Sequence, residues 1–319
     1  MKVSVFRIGL VGTASFLPLS LIALVVFLTA YSWPAIHYNG LQFLWTNDWN
    51  LGNLYGNPVE IHGQQVMPGA RYGIRFLVVG TLASSFLALL FALPIAVGAA
   101  YFLVEMVPKW LSGPLALLVD LLAAIPSVVF GLWGYALLIP FLGQTVYPWM
   151  TQHIGFIPYF GGSAGSGYGL LTTAIVLAFM IIPLISATMR EGISAIEPSL
   201  KEAGLGLGLN RLEVLWNIIL PKLKTTLVGV SILALGRALG ETMAVVMVSG
   251  NALNYLPNNI YTPISTMAAF IVSQLESALQ DPTNMAVEAL AEIALVLLLL
   301  TVIVNVVARM ILWGAKVRS

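Results

Sequence analysis

Six mostly apolar runs divide the chain, at residues 8–31, 75–103, 111–139, 170–189, 226–249 and 287–312, each bounded by charges or by Gly/Pro clusters. About 20 such residues cross the hydrocarbon core of a bilayer as a helix, so the pattern predicts an all-α membrane protein with six transmembrane helices. The second and third runs exceed that minimum and contain Pro94 and Pro126. Tilt is expected there, or a kink where proline removes a backbone hydrogen bond. The first run follows Lys2 and Arg7, as a signal peptide's apolar region would. It is longer than such a region and lacks a good small-residue cleavage pattern, so it reads as a retained helix.

Composition agrees with a bilayer environment. Of 319 residues, 59% are hydrophobic and 8% are charged, with a mean hydropathy of +0.93, whereas a soluble domain carries about 25% charged residues. A net charge of +1 gives no electrostatic case for nucleic acid. The chain has no cysteine, which excludes disulfides, thiolate metal sites and a cysteine nucleophile. His37, His62 and His153 stand far apart in polar linkers and read as surface or interfacial residues. No cluster of catalytic residues stands at helical spacing, so an enzyme is not expected.

Orientation follows from Lys and Arg, which are retained on the cytoplasmic side. With the N-terminus inside, Lys2, Arg7, Lys109, Arg190, Lys201, Arg211, Lys222, Lys224, Arg309, Lys316 and Arg318, 11 of the 14 basic residues, fall on the cytoplasmic side. Both termini are then cytoplasmic. The opposite linkers hold Trp33, Trp45, Trp49 and many Tyr, Gly and Pro residues, which suits interfacial anchoring or contact with an external partner.

The largest inner segment is residues 190–225. Pro198 suits the first turn of a helix, and Gly204, Gly206 and Gly208 should end it. Asn210 and Glu213 have the spacing of a capping box for a second helix, in which Leu212, Leu215, Trp216 and Ile219 recur at helical spacing as one apolar face. Pro221 should end that helix. The product is a two-helix knob on the cytoplasmic side.

Charges inside the apolar runs need a reason. Arg237 costs roughly 2.5 to 3.5 kcal/mol at the centre of a lone helix. Glu241 follows four residues later, on the same helix face, where an ion pair can form. Two readings stand: a polar element of a translocation path whose guanidinium holds an oxyanion through a planar fork, and a salt bridge that locks helices. Asp120 is either a second partner for Arg237 or a solvated residue at the inner surface. Glu288 and Glu292 read as facing the outer boundary, solvated, or the vestibule, and Arg71 and Arg75 as anchors at the outer surface or as charges that draw an anion or a delivery protein toward the mouth. No G-x-x-x-x-G-K-[ST] phosphate loop occurs, so the chain is not expected to hydrolyse ATP.

Glu202-Ala-Gly204, Gly208, Ile218 and Leu220-Pro221 stand at the spacing of the EAA loop and resemble that of ABC importer permeases, with Gly204 where alanine is common. The resemblance implies that Glu202, Ala203, Gly204, Gly208, Ile218, Leu220 and Pro221 couple the chain to a separate ATPase. Gly236-Arg-Ala-Leu-Gly-Glu-Thr-Met-Ala-Val245 with Gly250-Asn251 resembles the signature of PstC-type permeases of bacterial phosphate importers. So do Phe43-Leu-Trp-Thr-Asn-Asp-Trp49, Leu122-Ala-Ala-Ile-Pro-Ser-Val-Val-Phe-Gly-Leu-Trp-Gly134 and Met180-Ile-Ile-Pro183. The resemblance implies a type I (MetI-like) permease in the bacterial inner membrane: one domain over 1–319, with a core at about 72–313. Arg237 and Glu241, with Asp120 beside them as a candidate, would lie on the phosphate path. It further implies a PstA-type partner permease, two copies of a PstB-type ATPase that hold the ATP and Mg, and an external PstS-type phosphate-binding protein. The alternative is an ABC permease for another oxyanion or small solute.

Overall fold

The computed structural model describes residues 2–316; Arg318, one of the basic residues assigned to the cytoplasm, lies outside them. Among the described residues, five uninterrupted helices are long and apolar enough to cross a membrane: Leu10–Tyr31, Arg75–Met106, Ser127–Ile154, Leu170–Ser194 and Met285–Met310. A sixth span comes only from a bent pair, Arg211–Lys222 followed by Lys224–Leu239 at 77°. The chain groups into two compact units, residues 1–75 with 271–299 and residues 76–270 with 300–319.

In the first unit the first span buries none of its apolar window within the chain. A helix that is apolar all round and uncovered needs lipid or another helix against it. The segment after it is more than a linker. Helices Trp33–Asn39 and Gln42–Trp45 precede an antiparallel pair, Trp49–Asn50 with Arg71–Tyr72, and a hairpin, Val59–Ile61 with Gln64–Val66. Trp49 and Tyr72 are buried with their rings edge to face at 5.0 Å, beside buried Phe43 and Met67. Trp49 is therefore core and not an interfacial anchor, while Trp33 and Trp45 stay exposed. Glu292 is also buried and accepts a hydrogen bond from Asn39 Nδ2 at 2.8 Å. The solvated reading of Glu292 fails because the Trp33–Asn39 helix covers it.

The second unit is built on the fourth span, 72% of whose apolar window is buried within the chain. Leu177, Ile181, Ile185, Met189 and Ile193 share one buried cluster with Ala88, Ala92, Ala96 and Ala100 of the second span. Both rows recur every four residues, and a stripe of alanines lets two helix backbones approach closely where lipid offers no hydrophobic drive.

Prolines decide where the predicted runs divide. Ile125 and Pro126 are extended, with ψ of 129° and 141°, because a residue before proline is pushed out of the helical region. The third run is therefore not one kinked helix. It is an amphipathic helix, Lys109–Ala124, followed by the span Ser127–Ile154. Other prolines are absorbed: Pro140, Pro148 and Pro221 each follow a π-helical turn, at Gly134–Leu138, Leu142–Val146 and Leu215–Ile219. The wider turn accommodates the missing donor and the ring. For this reason Pro221 does not end its helix, which continues to Lys222 before the 77° bend.

Candidate functional site: a two-helix knob and a broken span

The knob forms as its local chemistry predicts. Helix Pro198–Gly206 stops where Gly208 adopts φ +88°. The Leu209 amide donates to the Gly204 carbonyl at 3.2 Å and the Gly208 amide to the Leu205 carbonyl at 3.0 Å, which closes a Schellman motif around a left-handed residue. Asn210 Oδ1 then accepts from the Glu213 amide at 2.9 Å, while Glu213 Oε2 accepts from the Asn210 amide at 2.7 Å. That reciprocal box starts helix Arg211–Lys222. Valine at position 208 is expected to cost roughly 1–3 kcal/mol of local strain. Amide exchange at Leu209 should then accelerate while the spans stay protected, and Gly208→Asn should be milder.

The second helix differs from the predicted single apolar face. Leu215 and Ile219 are buried with Val214, whereas Leu212 and Trp216 are 62% and 67% exposed. Gly204 explains the division: it is buried, and a Cβ there would strike Ile218 Cδ1, so its missing side chain lets the helices meet along that seam. Leu205 and Leu207 are also exposed, the latter by 85%. The knob therefore exposes four large apolar side chains along with Glu202, Ala203 and Gly208.

Beyond the bend, the predicted fifth run is two helices, Lys224–Leu239 and Met243–Val248, separated at Gly240, Glu241 and Thr242. Arg237 and Glu241 are consequently not one turn apart on one face, and no ion pair joins them among the described residues. The Ala244 amide donates to Glu241 Oε1 at 3.5 Å. Arg237 lies 13 residues into its helix, about 20 Å along the axis at 1.5 Å per residue, in the last turn before the break. Its side chain is exposed within the chain and lines a cleft of about 460 Å³ with Leu184, Ile232, Leu233, Gly236, Thr301 and Asn305. Among the described residues Arg237 has neither a hydrogen-bond nor an ion-pair partner.

Asp120 is not brought to Arg237. Its carboxylate accepts from Arg190 Nη2 at 2.5 Å, which ties the Lys109–Ala124 helix to the end of the fourth span nearest the knob. The reading of Asp120 as a second partner for Arg237 is not met; its carboxylate is taken by Arg190 and stays partly exposed. Arg71 pairs with Asp48 at 3.1 Å on an exposed surface. Sequence reasoning missed three residues under the knob. Lys201 Nζ donates to Glu105 Oε1 at 2.6 Å and to the Ile193 carbonyl at 2.9 Å, and the Tyr101 hydroxyl donates to the Arg211 carbonyl at 2.6 Å. The partners are 96, 8 and 110 positions apart, so only the charge of Glu105 at the end of an apolar run hinted at one of them.

Comparison with known proteins places this arrangement. A family profile described as "Binding-protein-dependent transport system inner membrane component" matches residues 92–312. The class is thus a multi-pass inner-membrane permease of ABC importers. The fold agrees with that of the inward-facing MetNI methionine ABC transporter, at a TM-score of 0.51 with 16% identity over 75% of this chain and 95% of that one. A bacterial ABC transporter that imports alginate aligns at 0.50 with 20% identity, covering 75% and 79%. Closer in sequence is the phosphate transport system permease protein PstC 1 of Mycobacterium tuberculosis, 44% identical over 86% of this chain and 82% of its own length. PstC of Pasteurella multocida is 39% identical over 94% and 88%. The chain belongs to the PstC family of binding-protein-dependent permeases.

Proposed function

We propose that the chain is the permease subunit of an ATP-driven phosphate importer. The observation that carries this reading is Arg237, an unpaired guanidinium within the fifth apolar run, opening into a cleft beside a break in that run. Broken helices at membrane depth persist where they line a cavity or lie buried in protein, and an intramembrane charge with no partner invites an anion. The guanidinium fork matches the planar display of phosphate oxygens. In this reading Arg237 and Glu241 line the path, and Asp120, paired with Arg190, braces the helices beside the knob. A homologous PstA-type permease completes the path, two PstB-type ATPases bind the knobs, and a PstS-type protein delivers phosphate from outside. Both termini then face the cytoplasm.

The knob supports the ATPase part of the proposal. Its exposed Leu205, Leu207, Leu212 and Trp216 form an apolar patch on a rigid, capped element, as a docking surface requires. Closure of the ATPases on ATP pushes the knob, the 77° bend passes that motion into the broken span, and the path opens alternately to either side. No phosphate bond is made or broken by this chain. In proteoliposomes holding the assembled transporter, phosphate with its binding protein is expected to raise ATP hydrolysis severalfold. A response to sulfate or molybdate in place of phosphate would move the assignment to another oxyanion.

A further inference from the structure

We infer that Lys201 is the residue that makes the second span follow the knob. The inference rests on the reading of the knob as the ATPase docking element. Three spans end at the knob, but they are joined to it differently. Leu170–Ser194 enters it by a short stretch of chain before Pro198, and Lys224–Leu239 leaves it after Lys222. The second span, Arg75–Met106, has no such continuity; its neighbours in sequence are the Lys109–Ala124 helix and the outer segment. Whatever moves it with the knob must act across space.

The polar contacts that cross that gap converge on one place. Lys201 Nζ holds Glu105 Oε1 at 2.6 Å and the Ile193 carbonyl at 2.9 Å, so one ammonium binds the ends of the second and fourth spans at once. Its two side chains are mostly shielded, 15% and 26% exposed for Lys201 and Glu105. A lysine at a helix C-terminus also suits the unpaired carbonyls and the negative end of the dipole. Glu105 sits in the π-helical turn Phe102–Met106 that ends the second span. On the other knob helix, the Tyr101 hydroxyl donates to the Arg211 carbonyl at 2.6 Å, and Arg211 Nη1 donates to the Glu105 carbonyl at 3.5 Å. Buried Tyr101, Ile193, Leu215 and Ile219 share one apolar cluster beneath these bonds. Packing keeps the surfaces together; the charge-assisted bonds at Lys201 fix their register, because they are short, directional and shielded from solvent.

Loss of Lys201 should leave the knob folded and still able to bind an ATPase, since Lys201 is not part of the exposed apolar patch or of the Gly208 and Asn210 motifs. It should loosen the register of one span of three, which packing and the Tyr101–Arg211 bond still hold against the knob. Energy from ATP would then be released without complete opening of the path.

The test uses the whole transporter in proteoliposomes, with phosphate uptake and ATP hydrolysis measured on the same sample. For Lys201→Met and for Glu105→Gln, phosphate moved per ATP is expected to fall about tenfold, within the range by which side chains along a coupling route alter it. ATP hydrolysis and co-purification of the ATPase should persist. The double variant should lose no more than either single one, as expected for partners in one bond, and Lys201→Arg should recover most of the ratio. An unchanged ratio in both single variants would overturn the inference, as would additive losses in the double variant. Loss of the ATPase from the complex in Lys201→Met would overturn it too, by assigning Lys201 to docking. Failure of the docking reading itself is recognised separately, by ATPase that stays bound when the exposed apolar patch is made charged.

Discussion

Changing Arg237 to glutamine is expected to abolish phosphate uptake by the assembled transporter while insertion and subunit assembly continue. The magnitude follows from charge. One unit charge about 4 Å from another is worth roughly 4 kcal/mol at the effective dielectric of a protein site, which corresponds to about a thousandfold in affinity for a passing anion. The same substitution should leave the chain equally or more resistant to thermal unfolding. A lone arginine at the centre of a membrane helix costs roughly 2.5 to 3.5 kcal/mol, and Arg237 has no partner to lose among the described residues. Lysine at 237 keeps the charge without the planar fork, so its uptake should fall between the two. Glu241→Gln tests the other side of the break. Its amide oxygen can still accept from the Ala244 amide, so loss of uptake there would report on charge and not on the turn. Normal uptake by both Arg237→Gln and Glu241→Gln would return the two residues to a structural role.

Introducing glutamate at both Leu207 and Trp216 is expected to strip the ATPase from the complex. These are the most exposed large apolar side chains of the knob, at 85% and 67%, and aromatic or aliphatic anchors at the centre of an interface are each worth about 2 kcal/mol or more. Together that is about 4 kcal/mol, near a thousandfold in affinity. Co-purification from solubilised membranes reads the outcome directly. Because neither side chain packs inside the knob, exchange protection at Leu209 and Glu213 should be unchanged. Retention of the ATPase at wild-type yield would remove this face as the docking surface.

Features set by neighbours in the chain were the most legible. The capping box at Asn210 and Glu213 and the proline start at Pro198 each involve residues within a few positions and appear as read, while of the three glycines expected to end the first helix only Gly208 lies beyond it, the helix running through Gly204 and Gly206. The long apolar runs were legible for a related reason, since bilayer thickness fixes helix length. Run boundaries were less so. A hydropathy pattern does not distinguish Pro126, which breaks its helix, from Pro221, which a π-helical turn absorbs. Nor does it separate Leu212 and Trp216 from Leu215 and Ile219, because all four are apolar and lie within two turns.

By itself, the sequence determined that the chain lives in a membrane, that it presents a capped two-helix knob on one side, and which family it belongs to. Those properties depend on composition, helical period and short-range chemistry. Only the tertiary structure decided how the charges are used. Asp120 went to Arg190, 70 positions away, and Glu105 to Lys201, 96 away, while Arg237 was left open to a cleft and Glu292 was buried under Asn39. The physical reason is that a charge near a membrane must find a partner or a polar path somewhere, and which one lies within hydrogen-bond reach is set by helix packing over distances no local pattern encodes.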